Sequence, residues 1–291
     1  LEQLDMIGKT ESEIIKNWQG DKAIPLVSIC CITYNQEKFI SEALDSFLMQ
    51  VTDFPFEIIV RDDASVDNTR NIIEKYYKRF PRIIKPILEE ENTYSKGVKP
   101  MTVAIDAANS DFISLCEGDD YFIDLKKLQR QYEVLQSNVN ISLCFHNVNS
   151  IDNSCKKEAE LVVDSSIETR LFTLKDLISG NPRIATSSMF FRKSMLDRPD
   201  WFDKVIAGEK KIQYLLANRG LVKYLPQVMS VYRKHIGGIS YRYTGLDAFR
   251  NYRELFYYFN IYTNKKYSYF IFKRLLALRL RILKSYLKNM F

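Results

Sequence analysis

Two clusters of carboxylates each follow a short apolar run. Arg61-Asp62-Asp63-Ala64-Ser65-Val66-Asp67 comes after residues 56–60, and Glu117-Gly118-Asp119-Asp120 comes after residues 112–116. Apolar runs of this length between helical patterns predict buried strands of a parallel sheet. Carboxylates at their C-terminal ends would converge on the crevice where open α/β sheets bind ligands. So many like charges require a cation or hydrogen-bond donors to offset them. A divalent cation on a nucleotide diphosphate meets that need, because Mg²⁺ takes one or two carboxylates and completes its shell with phosphates. Gly118 lets the backbone come close to such a ligand. Either acidic pair alone reads equally well as a solvated turn.

The elements that must position these groups follow from periodicity. Thr10-Glu11-Ser12-Glu13 before Ile14, Ile15 and Trp18 predicts a capped short helix. Strands are expected at 26–32, 56–60, 83–88, 112–116 and 141–145, with Pro86 marking the third as an edge. Between them Ile40, Ala43, Leu44, Phe47 and Leu48 share one helical face, as do Ile72, Ile73, Tyr76 and Phe80 behind an Asp67 cap. Another helix carries Leu125, Leu128, Tyr132 and Leu135. Beyond these come a polar loop over 147–170, a strand near 186–191, a helix near 213–218, apolar stretches at 222–225 and 228–232, and two final helices. The βαβ alternation argues for a doubly wound sheet.

The motifs then become specific. Val27-Ser28-Ile29-Cys30-Cys31-Ile32-Thr33-Tyr34-Asn35, Asp62-Asp63-Ala64-Ser65-x-Asp67-x-Thr69 and Glu117-Gly118-Asp119-Asp120 resemble the three signatures of family 2 glycosyltransferases, in the family's order. Gly208-Glu209 and Met229-Ser230-Val231-Tyr232-Arg233-Lys234-His235-x-Gly237-Gly238 are similar to its bacterial surface-glycan branch. The resemblance implies a GT-A fold, a mixed sheet flanked by helices, and inverting transfer of a sugar from a nucleotide-sugar, UDP-sugar first. It implies that Asp63 reads the base beside the turn Thr33, Tyr34 and Asn35. It also implies that Asp119 holds Mg²⁺ or Mn²⁺ on the diphosphate, with Glu117 toward the ribose and Asp120 supporting. Glu117 stands where the family usually has Asp, one methylene shorter.

Other candidates rest on the same resemblance. Glu209 matches the position of the base that deprotonates the acceptor hydroxyl; Lys210 and Lys211 follow it and would lower its pKa. Arg233 and His235 would meet the diphosphate or the metal from a closing loop at Gly237-Gly238. Lys96 and Lys99 around Gly97 are either phosphate contacts or a solvated basic loop. His146 serves as a structural or an acceptor-side hydrogen-bonding group. Asn181-Pro182-Arg183-Ile184-Ala185-Thr186-Ser187-Ser188 offers small hydroxyls to a sugar acceptor, or is a loop entering a strand.

Composition bounds the rest. The 291 residues are 46% hydrophobic and 27% charged, ordinary for a globular chain. The division expected is an N-terminal lead-in over 1–24, a nucleotide-sugar-binding half over 25–150, an acceptor half over 151–240 and a basic aromatic tail over 241–291. Five cysteines (Cys30, Cys31, Cys116, Cys144, Cys155) lack C-x-x-C spacing, and four of them lie in or beside predicted strands and read as buried apolar groups in a reducing cytosol. No signal peptide or uninterrupted run of about 20 apolar residues stands out, and a start at Leu1 leaves an upstream segment open. The net charge of +6 hides an asymmetry. Residues 241–291 hold 11 Lys and Arg against Asp247 and Glu254, a balance of +9, and the rest of the chain is −3.

On a helical wheel Lys273, Arg274, Arg281, Lys284 and Lys288 share one arc, opposite Ile271, Leu275, Leu276, Leu278, Ile282 and Leu283, with Arg279 intruding. Such a helix can lie on an anionic inner-membrane face, pack on its own domain, or form a homodimer, with Tyr257, Tyr258, Tyr262, Tyr267 and Tyr269 suited to an interface. No recognised nucleic-acid module accompanies the charge. The setting expected is cytoplasmic, peripheral to the membrane, with a glycan or lipid-linked acceptor. A sugar nucleotidyltransferase or a catalytically silent nucleotide-binding module are the alternatives; the first usually carries a Gly-rich phosphate loop, absent from 26–36.

Overall fold

In the computed structural model, residues 8–152, 157–164, 167, 170–238 and 245–288 are described. Cys155, the ends 1–7 and 289–291, residues 241–244 of the tail and the Lys288 side chain lie outside the described residues. The elements run α1 (Glu11–Ile15), β1 (Val27–Thr33), α2 (Ile40–Leu48), β2 (Phe56–Asp62), α3 (Thr69–Arg79), β3 (Ile84–Leu88), α4 (Pro100–Ala107), β4 (Phe112–Glu117), β5 (Tyr121–Phe122) and α5 (Lys127–Ser137). They continue with β6 (Ile141–Asp152), β7 (Lys157–Leu161), β8 (Leu171–Phe172), α6 (Leu174–Ser179), β9 (Phe190–Arg192), α7 (Lys210–Arg219), β10 (Leu221–Lys234), α8 (Gly245–Tyr262) and α9 (Ser268–Lys288).

The sheet order is β3-β2-β1-β4-β9-β6-β10-β5, with β7 on β6 and β8 on β10. β1 to β4 are mutually parallel, and β9 is antiparallel to both β4 and β6, so the sheet is mixed. β3 is indeed the edge, which tolerates the missing N–H of Pro86. β1 lies between β2 and β4, a switch point where the chain leaves to opposite sides. Ile32 is level with Glu117 and Thr33 with Asp62, so both acidic clusters flank the end of β1.

Alternation along the buried strands splits the core in two. Cys30, Ile59, Ile113 and Leu115 face α4, α6, α7 and α8, while Ile29, Cys31, Ile58 and Val60 face α1, α2, α3 and α5. The four described cysteines are buried and free, and burial pushes their thiols up. Thr10 and Glu13 form the expected capping box on α1.

Three expectations are corrected. The loop assigned to 147–170 is strand for much of its length, because β6 runs 12 residues and β7 pairs back on it. Residues 186–188 form a 3-10 turn, and only 190–192 are strand. Asn68, not Asp67, stands at the N-cap of α3, although the Asp67 carboxylate accepts from the N–H of Thr69 at 3.0 Å.

The tail is joined to this core. Phe256 stacks on Tyr214 with ring centroids 5.7 Å apart and planes 9° from parallel, and Phe259 meets Trp201 and Tyr214. Truncating either phenylalanine to Ala would cost about 3–5 kcal/mol.

Candidate active site

The loops after β1 and β2 are stitched together by side chains. Asn35, in the left-handed region at φ 52°, donates its N–H to the Ser65 hydroxyl at 2.8 Å and accepts from the N–H of Val66 at 2.9 Å. Asp67 accepts from the N–H of Glu37, and Thr69 accepts from that of Gln36. Tyr34 is left exposed at the rim.

Asp63 is buried and accepts from four donors, three on Oδ1 and one on Oδ2. Its Oδ1 accepts from Arg61 Nη2, from the Thr93 N–H at 3.0 Å and from the Thr93 hydroxyl at 2.7 Å; its Oδ2 accepts from the Tyr94 N–H at 3.0 Å. Burial would raise its pKa, but the Thr93 hydroxyl, the two N–H groups and the Arg61 charge prevail and hold it below the usual carboxylate value. Arg61 is itself fully buried and also bonds Glu89.

The second cluster sits on the other side of Thr33. A Cβ on Gly118 would lie 2.6 Å from Gln36 Oε1 and 3.0 Å from Thr33 Cβ, so a larger residue would displace the Gln36 side chain and press on Thr33. Thr33 Oγ1, Gln36 Oε1 and Asp120 Oδ2 are buried polar atoms with no hydrogen-bond partner among the described residues. Burial, with Glu209, Asp119 and Asp120 nearby, pushes the Glu117 carboxyl up, and the nearby Thr186 hydroxyl opposes that shift. Burial and the Asp119 charge likewise push Asp120 up, while Arg233 opposes.

The end of β10 closes the cluster. The Arg233 N–H donates to Asp120 Oδ1 at 2.9 Å, and its Nη1 donates to the Asp119 carbonyl at 2.8 Å. Its Nη2 pairs with Glu42 of α2, and the guanidinium lies over the Tyr121 ring, 4.3 Å from the centroid. His235 Nε2 lies 2.9 Å from Asp119 Oδ2, its ring packed against Phe39. Among the described residues no group of three or more His, Cys, Asp or Glu is gathered as a metal cage. Asp119 and His235 are two donors of the right kind, which suits an ion sharing its shell with a diphosphate.

The remaining candidates divide. Glu209 stands at the N-cap position of α7, close enough to Glu117 to raise it. Neither following lysine bonds it: Lys210 donates to Gln213 Oε1, and Lys211 to the Phe202 carbonyl. Lys96 is exposed and paired with Glu91. Lys99 takes the N-cap position of α4. His146 is in the interior, where burial keeps it well below the ordinary histidine value, with Nδ1 2.7 Å from the Asn147 carbonyl. Glu42, Phe39, Gln36 and Tyr121 were not among the sequence candidates, since each reads as an ordinary position of its helix or turn.

Comparisons with known proteins show the family and the fold. The description of glycosyl transferase family 2 matches residues 28–198, and the chain belongs to that family. An uncharacterized protein of Mycobacterium tuberculosis is 36% identical over 218 residues, covering 73% of this chain and 60% of its own length. The poly(ribitol-phosphate) beta-N-acetylglucosaminyltransferase TarS of Staphylococcus aureus is 39% identical over 97 residues, 32% of this chain and 16% of its own.

Among solved structures, S. aureus TarS 1-349 in complex with UDP-GlcNAc is similar at a TM-score of 0.60 and 23% identity, over 79% of this chain and 65% of that one. The mannosyltransferase PcManGT from Pyrobaculum calidifontis, in complex with GDP-Man and Mn²⁺, gives 0.57 and 17%, over 85% and 69%. These likenesses show the GT-A fold. The chain thus spans about 60% of the length of the first of these relatives. Family membership sets aside the nucleotidyltransferase alternative.

Proposed function

We propose that the chain is a metal-dependent, inverting glycosyltransferase that moves a sugar from a nucleotide-sugar to a glycan or lipid-linked acceptor. The observation that carries this reading is the meeting of Asp63 and Asp119 on either side of the end of β1. Asp63, held ionised, has acceptor capacity left on Oδ2 for a base N–H. Uracil offers such a donor, and TarS, with which the chain shares its fold, holds UDP-GlcNAc; a UDP-sugar is the first donor to test. Thr33, Tyr34 and Asn35 border the base.

Asp119 and His235 would hold Mg²⁺ or Mn²⁺. That ion supplies neutralisation of the charge on the departing diphosphate. Glu117 faces the ribose and Asp120 supports the turn, while Arg233 holds that turn from behind. Glu209 takes the proton of the acceptor hydroxyl on the face opposite the leaving group. Lys96 lies beyond this set unless its pair with Glu91 opens on the phosphates. The setting we assign is the cytoplasmic face of the membrane; among the described residues no helix is long and apolar enough to cross one.

The test is a calorimetric titration of UDP, GDP, ADP and CDP with Mn²⁺ and with EDTA, followed by transfer to lipid-linked and free glycan acceptors. Metal-dependent binding selective for one diphosphate is expected. Binding to none of the four would sink the reading, and binding without release of diphosphate in the presence of any acceptor would favour a silent module.

A further inference from the structure

Helix α9 carries two apolar stripes. Ile271, Leu275 and Ile282 belong to the inner one: Ile271 is buried with the core, Leu275 packs against it, and Ile282 faces Gly245 at the start of α8. Arg274, placed by the helical wheel among the basic face, also turns inward. Its Nη1 donates to the Ser179 carbonyl at 3.4 Å, and the guanidinium lies against Gly180.

The outer stripe is Tyr269, Phe272, Leu276, Leu280, Leu283 and Leu287, each between 46% and 66% exposed. At 3.6 residues per turn these six fall within an arc of about 80°. Lys273 and Lys284 border it on one side and Arg279 on the other, all exposed. Residues 268–288 contain no Asp or Glu.

We propose that this outer stripe docks on an anionic phospholipid surface. A contiguous row of exposed large apolar side chains calls for a covering partner. A second copy of the chain would bring two sets of basic flanks together with no carboxylate on either helix to offset them. Anionic headgroups supply the missing charge. With α9 in the plane of the interface, the Phe and Leu side chains enter the acyl boundary, and the Lys and Arg heads reach the phosphates along their methylene stems.

The experiment is cosedimentation of the whole chain with vesicles of phosphatidylcholine alone and of phosphatidylcholine mixed with phosphatidylglycerol, alongside light scattering. Binding only to the mixed vesicles, weakening as salt rises, is expected. The pair Leu276→Gln and Leu283→Gln, and separately Lys273→Glu with Lys284→Glu, should each lower partitioning about tenfold or more. Thermal melting should not move, since all four side chains are exposed. Absent binding, equal binding to both vesicles, or unchanged binding by the leucine pair overturns the proposal. So does a solution dimer that the leucine pair dissolves, which would give the stripe to a second copy.

Discussion

Arg233 Nη1 donates to the carbonyl oxygen of Asp119 at 2.8 Å, tying the end of β10 to the acidic turn after β4. With its other amino group on Glu42 and its backbone on Asp120, Arg233 is committed to the protein on three sides. These contacts hold the acidic turn proposed to bear the metal.

Glu42→Gln should therefore loosen the turn without touching the ligands. The expected result is a fall of roughly fivefold in Mn²⁺-dependent nucleotide affinity, a modest figure because Glu42 is 46% exposed as a side chain. Nucleotide binding in EDTA should be unchanged. Calorimetry with and without metal separates the two.

Asp119→Asn removes the carboxylate itself. Metal-dependent binding should drop by more than the roughly 10–100-fold typical for loss of an outer partner. His235→Gln should likewise exceed that range, since the imidazole is proposed as the second ligand; a drop inside it would make His235 an outer partner of Asp119. Mn²⁺ titration followed by electron paramagnetic resonance reads both variants directly.

Glu209→Gln should leave donor affinity intact and slow transfer by about 10²–10⁴-fold. Single-turnover assays at saturating donor make the distinction from a binding defect. Normal transfer by this variant would place the base elsewhere.

Lys127 is fully buried, with its ammonium 2.9 Å from the Ser114 hydroxyl and 4.0 Å from the centroid of the Phe122 ring. Burial brings its pKa down to about 7 from an ordinary 10.5. Between those values the unfolded chain holds one proton more than the folded one, so Lys127 makes stability rise with pH across that window. Its penalty is fully present below about pH 7. Lys127→Met should raise stability at pH 7 by about 1–4 kcal/mol, with the gain shrinking toward pH 10 in a series of thermal melts.

Legibility in the sequence followed how local each signal is. Continuous apolar runs marked β1, β2 and β4, and the carboxylates at their ends are part of the same short segments. β6 was cut short because His146, Asn147, Asn149 and Ser150 look like loop. They remain strand because Asn147 satisfies the backbone of Val148 and Val163. β10 read as two pieces because Pro226 and Gln227 fall at a register shift between Leu225 and Val228. Glu42 gave no signal at all: its partner Arg233 lies 191 positions away, and a polar residue on an amphipathic helix is expected on solvent grounds alone. The tail's two apolar stripes merged on a wheel because only packing against α8 and α6 distinguishes them.

Phe259 has a consequence for what counts as one piece of this protein. The family match stops at residue 198, yet Trp201, Tyr214 and Phe259 share one aromatic knot, with α8 supplying a side of it. A chain nicked between β10 and α8 would accordingly stay associated, its two fragments parting only when the whole structure melts.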